Sequence, residues 1–165
     1  MHDPNSIYGF RGQNYYLSNY APSAICIENI WYPTVEHAFA AMKTFDIKLR
    51  RSISTASSPG EAKLLGRRLD LRHDWEEVKD DIMLSLVRLK FSFYHNLGNK
   101  LMNTGSLQII EANKWNDLYW GVDFNTGKGL NKLGTILMIV RQELQRNKRR
   151  EIDGSTISIA YLRKT

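Results

Sequence analysis

The stretch TVEHAFAAMK, residues 34–43, brings an acid, an imidazole and an amine together at the start of a predicted helix. Thr34 has the hydroxyl that caps a helix N-terminus, so Glu36 is not needed for the cap. Glu36, Ala40 and Lys43 follow the spacing i, i+4, i+7, which places them on one helix face. An acid and an amine on one face can perform acid–base or nucleophilic chemistry. The simpler interpretation is an acid that suits the helix dipole and a solvated lysine.

A second segment, LYWGVDFNTGKGLNKLG, has features of an anion-binding loop. Its glycines would let backbone N–H groups approach a phosphate, and the helix predicted to begin at Asn131 would add a favourable dipole. Neither GxxxxGK[ST] nor a GxGxxG between a strand and a helix is present. An ordinary glycine turn before a helix therefore remains the alternative.

A third segment, YYLSNY, covers residues 15–20. Ser18 and Asn19 are turn formers, and Tyr16 and Tyr20 could flank a flat ligand. The alternative is an aromatic-rich loop that covers the core.

Metal chemistry is not indicated by the sequence. The histidines His2, His37, His73 and His95 are far apart, and HExxH is absent. Cys26 is the only cysteine, so no intrachain disulfide can form, which suits a reducing cytoplasm. We therefore expect a reaction without a metal or another cofactor.

The length of 165 residues fits one domain with a substantial core. No apolar run approaches the roughly 20 residues of a membrane span, and no secretory signal is visible, so we expect a cytoplasmic protein without membrane contact. The formal net charge is +6, and residues 146–165 hold six basic and two acidic side chains. We interpret them as a basic C-terminal extension, either a solvated helix end or a phosphate-attracting segment.

Local patterns predict a helical majority. Ser58, Pro59 and Glu61 have the spacing of a helix start with a capping box. The longest helix is predicted to begin after Asp74 and to stop at residues 96–98. Its expected buried stripe consists of Val78, Ile82, Leu86, Leu89 and Phe93.

The remaining elements are short. Residues 24–32 predict a hairpin, and residues 107–112 and 118–122 predict strands. A final helix should run from Asn131 to about Gln145, and residues 157–162 alternate weakly, as in an edge strand or a poorly ordered tail. The predicted fold class is α+β, with residues 1–145 forming a single compact, mostly helical domain with a small β-sheet.

The ordered set YLSNY, WYPTVEHAFAAMK, SSPGEAKLLGRRL, DWEEVKDDIMLSLVRLKF, LMNTG, IIEA and YWGVDFNTGKGLNKLGTILMIVR resembles the NADAR family, also called YbiA-like. The resemblance extends over residues 8–144, with the elements in the family's order. It departs where the family commonly has glutamine, since Ala40 stands there, and where Thr44 precedes Phe45. The resemblance implies a compact α+β domain.

The family's activities are N-glycosidic. Some members cleave the ribosylamine bond of reactive riboflavin-pathway intermediates, and others remove ADP-ribose from guanine, including antitoxins to DNA ADP-ribosyltransferases. The resemblance thus implies a hydrolase, with ADP-ribosylated guanine in nucleotides or DNA as the first expected substrate and a cognate ADP-ribosyltransferase toxin as a functional partner. Ribosylaminopyrimidine phosphates are the alternative substrates, and a non-catalytic NAD- or ADP-ribose-binding module is the alternative of another class.

Cleavage of a C–N glycosidic bond passes through an oxocarbenium-like ribose and needs a negative charge and proton delivery. The resemblance implies Glu36, Lys43 and Asp123 as catalytic residues. Lys43 would either pair with Glu36 or a phosphate, or attack the open-chain ribose to form a Schiff base. The implied substrate-binding residues are Ser18, Asn19, His37, Trp120, Gly121, Gly127, Lys128, Gly129 and Asn131.

Overall fold

A computed structural model describes residues 3–152 of the chain. Within that range the helical majority forms around a core of apolar side chains. The helices are α1 (Val35–Ala41), α2 (Ile47–Ser54), α3 (Pro59–Arg67), α4 (Trp75–Phe93), α5 (His95–Met102) and α6 (Lys132–Ile152).

The β structure consists of two-stranded pairs. β1 (Ser6–Tyr8) pairs in parallel with β4 (Gln108–Ile110), and β5 (Ala112–Asn113) pairs in parallel with β6 (Val122–Asp123). β2 (Ile25–Ile27) and β3 (Ile30–Tyr32) form the predicted antiparallel hairpin. Glu28 and Asn29 at its turn both have positive φ, as a tight two-residue hairpin turn requires. The predicted α+β class is confirmed.

Two helix starts agree with their sequence signals. The Thr34 side chain accepts a hydrogen bond from His37 N–H, and the Ser58 side chain accepts one from Glu61 N–H. The Glu61 carboxylate accepts a hydrogen bond from the Ser57 N–H, one residue before the Ser58 cap. Asp74 does occupy the N-cap position of α4, but its carboxylate binds the Arg72 guanidinium instead of a helix N–H.

The predicted stripe of α4 is wrong for its last turns. Leu89 and Phe93 are exposed, whereas Met83, Val87 and Phe91 are buried. The helix carries apolar residues on two adjacent faces, and packing against α1 and α6 selects one of them. The predicted stop is also misplaced, because α4 already ends at Phe93 and α5 begins at His95.

The C-terminal elements differ from expectation in length. Residues 118–121 form a turn, so only Val122–Asp123 of the predicted strand is β structure. α6 begins directly after Asn131 and continues past Gln145 to Ile152. The predicted strand or tail at residues 157–162 lies outside the described residues. Among the residues described, no helix has the length and apolar character to cross a membrane.

Close packing of α1 on α3 prepares the functional site. A Cβ atom at Gly66 would lie only 2.9 Å from the Ala40 Cβ, so glycine is needed for this approach. As a result, the face of α3 that carries Lys63 and Arg67 lies beside the cavity to which Glu36 contributes.

Candidate active site

A cavity of about 910 Å³ lies between α1, α3, α4 and the loops around residues 10–20 and 111–120. Acidic, basic and aromatic side chains all reach it, which is unusual for a space left by imperfect packing. The acids are Glu36, Glu111 and Asp117, the cations are Arg11, Lys43, Lys63 and Arg67, and the aromatic residues include Tyr15, Tyr20, Trp115 and Trp120.

Glu36 lies in the first turn of α1, and only 8% of its surface is exposed. Its N–H donates to the Asn19 carbonyl at 3.1 Å, which joins the helix start to the 18–20 loop. Burial raises the pKa of the Glu36 carboxyl, against the opposing effect of the positive charges on Lys63 and Lys43. A carboxyl that keeps its proton to higher pH is suited to act as a general acid.

Lys43 lies just beyond α1, which ends at Ala41. The predicted common helix face is therefore incomplete, yet the turn after the helix still carries Lys43 to the cavity that Glu36 lines. Burial lowers the pKa of its amine, and the charge of Glu36 acts in the opposite direction. A lowered pKa increases the neutral, nucleophilic fraction of an amine.

The 18–20 loop forms another part of the wall. Ser18, Asn19 and Tyr20 all line the cavity, and Ser18 and Asn19 are two of the predicted substrate-binding residues. Burial, followed by the charge of Glu36, raises the pKa of Tyr20 to about 12, so its hydroxyl stays protonated. Tyr16 packs edge-on against Phe91 outside the cavity lining, and Tyr15 reaches the cavity instead.

His37 has a structural environment. It is 1% exposed, and its two ring nitrogens contact Thr34 Oγ1 at 2.8 Å and the Ala56 carbonyl at 3.2 Å. Because a carbonyl oxygen only accepts, Nε2 donates to Ala56 and Nδ1 accepts from Thr34. The structure places this imidazole in the support of α1 and not in the cavity lining.

The neighbouring residues Trp120 and Gly121 have different surroundings. Trp120 lines the cavity and packs edge-on against Phe39. Gly121 lies outside the lining, in contact with the neighbouring strand: a Cβ there would be 2.0 Å from Glu111 Oε2 and 2.2 Å from the Glu111 carbonyl oxygen. This glycine therefore permits a close backbone approach beside a cavity acid.

Asp123 and the glycine loop form a closed turn outside the cavity lining. The Asp123 carboxylate accepts from Asn125 N–H, Thr126 N–H and the Thr126 hydroxyl at 3.1, 2.8 and 2.8 Å. These bonds lower the pKa of Asp123, the Thr126 hydroxyl contributing most. The Asp123 backbone also pairs with Gly127 and Lys128, and φ is positive at Gly127 and Gly129, as such a turn requires. The structure does not bring this group together with Glu36.

Asn131 supports the site from outside it. Its side-chain oxygen accepts from Glu111 N–H at 2.9 Å, and its side-chain nitrogen donates to the Ile109 carbonyl at 2.9 Å. Asn131 thus joins the end of β4 to the start of α6 and fixes the backbone of a cavity acid.

The sequence interpretation missed the acids of the 111–117 segment. Asn113 is fully buried and organises this segment: it donates to Glu111 Oε2 and the Asp117 carbonyl and accepts from Trp115 and Asp117 N–H groups. Burial raises the pKa of Glu111. The motif IIEANKWND gave a usable signal, since it places two acids at the ends of a predicted strand and turn.

The cavity cations of α3 and the N-terminal loop were also missed. Lys63 and Arg67 have i, i+4 spacing and lie on either side of the close-packed Gly66. Arg11 approaches from the loop before a short 3₁₀ helix, Gly12–Leu17. No carboxylate lies within 4.0 Å of these three cations in the part of the chain that is described. Residues 3–152 also contain no cluster of histidine, cysteine and acidic residues that could hold a metal ion.

Comparison with known proteins agrees with this architecture. The NADAR domain matches residues 7–145. N-glycosidase YbiA of Escherichia coli is 39% identical over 130 residues, which are 78% of this chain and 80% of that protein. N-glycosidase Npun_R5314 of Nostoc punctiforme is 38% identical over 134 residues, 78% of this chain and 85% of that protein.

A further relative and a solved structure are also similar to this chain. A riboflavin biosynthesis protein of Vibrio vulnificus is 33% identical over 147 residues, which cover 88% of this chain but only 38% of that protein. The NMR structure of E. coli YbiA superposes with a TM-score of 0.78 at 34% identity, covering 94% of this chain and 90% of that one. The chain therefore belongs to the NADAR family, and it is a hydrolase of the N-glycosidase type.

Proposed function

We propose that this protein hydrolyses the bond between the anomeric carbon of a phosphorylated ribose and a base nitrogen, with Glu36 and Lys43 as its catalytic residues. The observation that carries the proposal is that these two side chains line one cavity and that burial shifts their pKa values in opposite directions, raising that of the acid and lowering that of the amine. Binding alone does not require such a pair beside the ligand.

The proposed chemistry begins with the open-chain form of the ribosylamine, in which C1 is joined to the base nitrogen as an imine. The neutral Lys43 amine adds to C1, and one of its protons passes to the base nitrogen, so that C1 is joined to both nitrogens by single bonds. Glu36 then gives its proton to the base nitrogen as the C1–N bond to the base breaks, which leaves a protonated Lys43 Schiff base and an ionised Glu36. Water adds to this Schiff base and releases the sugar with C1 as an aldehyde, which restores the neutral Lys43 amine and returns a proton to Glu36.

Phosphate binding falls to the cavity cations in this proposal. Arg11, Lys63 and Arg67 line the cavity and have no carboxylate within 4.0 Å in residues 3–152, whereas the backbone of the glycine loop at residues 127–129 bonds within its own turn. Arginine and lysine bind phosphate through charge-assisted hydrogen bonds, which are strong where water is partly excluded.

A ribosylaminopyrimidine phosphate is our first substrate candidate. Its support is the similarity to proteins named for riboflavin biosynthesis, of Vibrio vulnificus and of Zea mays. The chain spans 38% and 23% of the lengths of those relatives, so their names support the substrate only through the shared domain.

ADP-ribosylated guanine is the second candidate, and a specific observation favours it. The cavity lining includes Trp115 and Tyr15, whose surfaces are 57% and 45% exposed. Exposed aromatic rings at a cavity edge can stack on a further base. A cavity of about 910 Å³ also has room for a dinucleotide-sized ligand. Under this candidate, DNA and an ADP-ribosyltransferase toxin would be the functional partners.

Mass spectrometry of the purified full chain tests the proposal. The protein is incubated separately with a ribosylaminopyrimidine 5′-phosphate and with an oligonucleotide that contains ADP-ribosylated guanine. We expect one of them to lose its ribosyl group, and Glu36→Gln to abolish that loss while Lys128→Met retains it. Binding of ADP-ribose by calorimetry, without turnover of either compound, would instead identify a binding module.

A further inference from the structure

Lys90 is a buried cation that the proposed chemistry does not use. It lies on α4, and 1% of its surface is exposed. No carboxylate oxygen lies within 4.0 Å of its amine within residues 3–152, and burial lowers its pKa to about 7. An unpaired ammonium is costly to bury, and an aliphatic side chain would fill the same space without that cost. Packing alone therefore does not account for a lysine here.

The hydrogen bond of Lys90 leads to the active site. Its Nζ donates to the Ser18 carbonyl at 2.9 Å, and the same carbonyl accepts from Ala21 N–H at 3.1 Å. Ser18 lines the cavity although Lys90 does not. The Lys90 amine thus restrains the 18–20 loop from the side of the core.

The 18–20 loop in turn contacts the backbone of Glu36, the proposed catalytic acid. The next carbonyl, that of Asn19, accepts the backbone N–H of Glu36 at 3.1 Å. The Asn19 side-chain nitrogen lies 3.3 Å from the Met83 sulfur, one further contact between the loop and α4. A continuous path therefore runs from Lys90 through Ser18 and Asn19 to the first turn of α1.

We propose that Lys90 is a positioning residue, which fixes the 18–20 loop through the Ser18 carbonyl and thereby holds the Glu36 carboxyl at its place in the cavity. This inference rests on the proposed function for its catalytic consequence. Its structural part, the restraint of the loop and of the Glu36 backbone, stands independently.

A matched control exists at Arg141. This residue is also a buried cation, 5% exposed, and it donates to the Leu107 carbonyl and the Thr104 hydroxyl, both at 2.8 Å. Neither acceptor lines the cavity. Replacing Lys90 or Arg141 by methionine therefore removes a buried cation in both cases, but only the former releases the 18–20 loop.

The experiment combines hydrogen exchange with kinetics on folded Lys90→Met and Arg141→Met. In Lys90→Met we expect faster exchange at the amides of Ala21 and Glu36 and a kcat lower by about 10- to 100-fold, the scale of a displaced catalytic group. In Arg141→Met we expect neither change. Lys90→Gln keeps an uncharged donor on a shorter side chain, so it should give intermediate exchange and kcat, and it replaces Lys90→Met if that variant does not fold.

Unchanged exchange at Ala21 and Glu36 in the Lys90 variants would overturn the proposal, and so would equal losses of kcat in the Lys90 and Arg141 variants. A wild-type protein that turns over neither substrate would reject the proposed function, while the exchange data would still decide whether Lys90 restrains the loop.

Discussion

The helix start at residues 34–43 and the glycine loop at residues 123–131 both place polar groups beside a helix N-terminus, yet their side chains have different surroundings. Within the described chain, the Glu36 carboxyl and the Lys43 amine have no hydrogen-bond partner, and both line the cavity. The Asp123 carboxylate accepts three hydrogen bonds from its own turn. We therefore expect groups that the local fold leaves unpaired to be the better candidates for chemistry.

Replacement of Glu36 by glutamine tests the catalytic role proposed for the helix start at residues 34–43. Glu36→Gln keeps the shape of the side chain but cannot deliver a proton, so we expect the rate to fall by at least about 100-fold, the usual scale for a lost general acid. Folding, followed by circular dichroism, should be unchanged. A folded variant with the wild-type rate would mean that Glu36 is only a helix-start acid.

The role of Lys43 can be tested by trapping its intermediate. If the amine forms a Schiff base, borohydride should fix a sugar adduct on the wild type during turnover, and Lys43→Met should show no adduct and a rate lower by about 100-fold. Peptide mass spectrometry locates the adduct. A strong loss of rate without any trapped adduct on the wild type would assign Lys43 to binding.

The two candidate phosphate sites give the next contrast. Lys63→Met or Arg67→Met should raise KM by about 10-fold, equivalent to one charge-assisted hydrogen bond, because these cations lie at the cavity. Lys128→Met should leave KM unchanged, because Lys128 lies on the closed turn. Steady-state kinetics on the phosphorylated substrate measures both. The reverse result would indicate that the glycine loop binds the substrate phosphate.

The buried lysine of α4 adds a dependence of stability on pH. The native pKa of Lys90 is about 7 and its ordinary value is 10.5, so between these values the unfolded state binds more protons than the native state. Stability should therefore rise with pH in this window, by up to about 1.4 kcal/mol per pH unit from this group. Urea unfolding at pH 7, 8 and 9 measures this slope. Subtracting the slope of Lys90→Met isolates the contribution, and identical slopes would contradict it.

The smallest catalytic effect is expected at Asp123. Asp123→Ala removes the acceptor that closes the turn, so the melting temperature should fall, but kcat/KM should stay within about twofold of wild type, as for surface positions away from a site. Thermal unfolding and kinetics on one preparation measure both. A loss of rate comparable to that of Glu36→Gln would remove the distinction between the two segments.

Some cavity residues could be predicted from the sequence, because each of them lies within a short contiguous motif. Glu36, Lys43, Ser18, Asn19 and Trp120 all line the cavity. Their placement follows from a helix cap and short turns, whose signals lie within a few residues. As catalytic and binding assignments they remain predictions until the variants are measured.

The motif IIEANKWND marks two acids, but that these and the other cavity residues meet at one site could not be predicted, because they come from segments that are distant along the chain. Lys63 and Arg67 become relevant only when Gly66 packs on Ala40, and Glu111 only when Gly121 allows close approach of the neighbouring strand. Such contacts depend on which surfaces fit together, and side-chain spacing within one segment does not contain that information.

The sequence by itself determined the family, through the order of its motifs along the chain. It also determined the caps at Thr34 and Ser58 and the hairpin turn at residues 28–29, because each of these depends on local hydrogen bonds and backbone conformations. Tertiary structure decided which apolar face of α4 is buried, which acids share the cavity and that Lys90 reaches the Ser18 carbonyl. The reason is physical: burial and close packing arise only when separate elements meet, and burial is also what shifts the pKa values of Glu36 and Lys43.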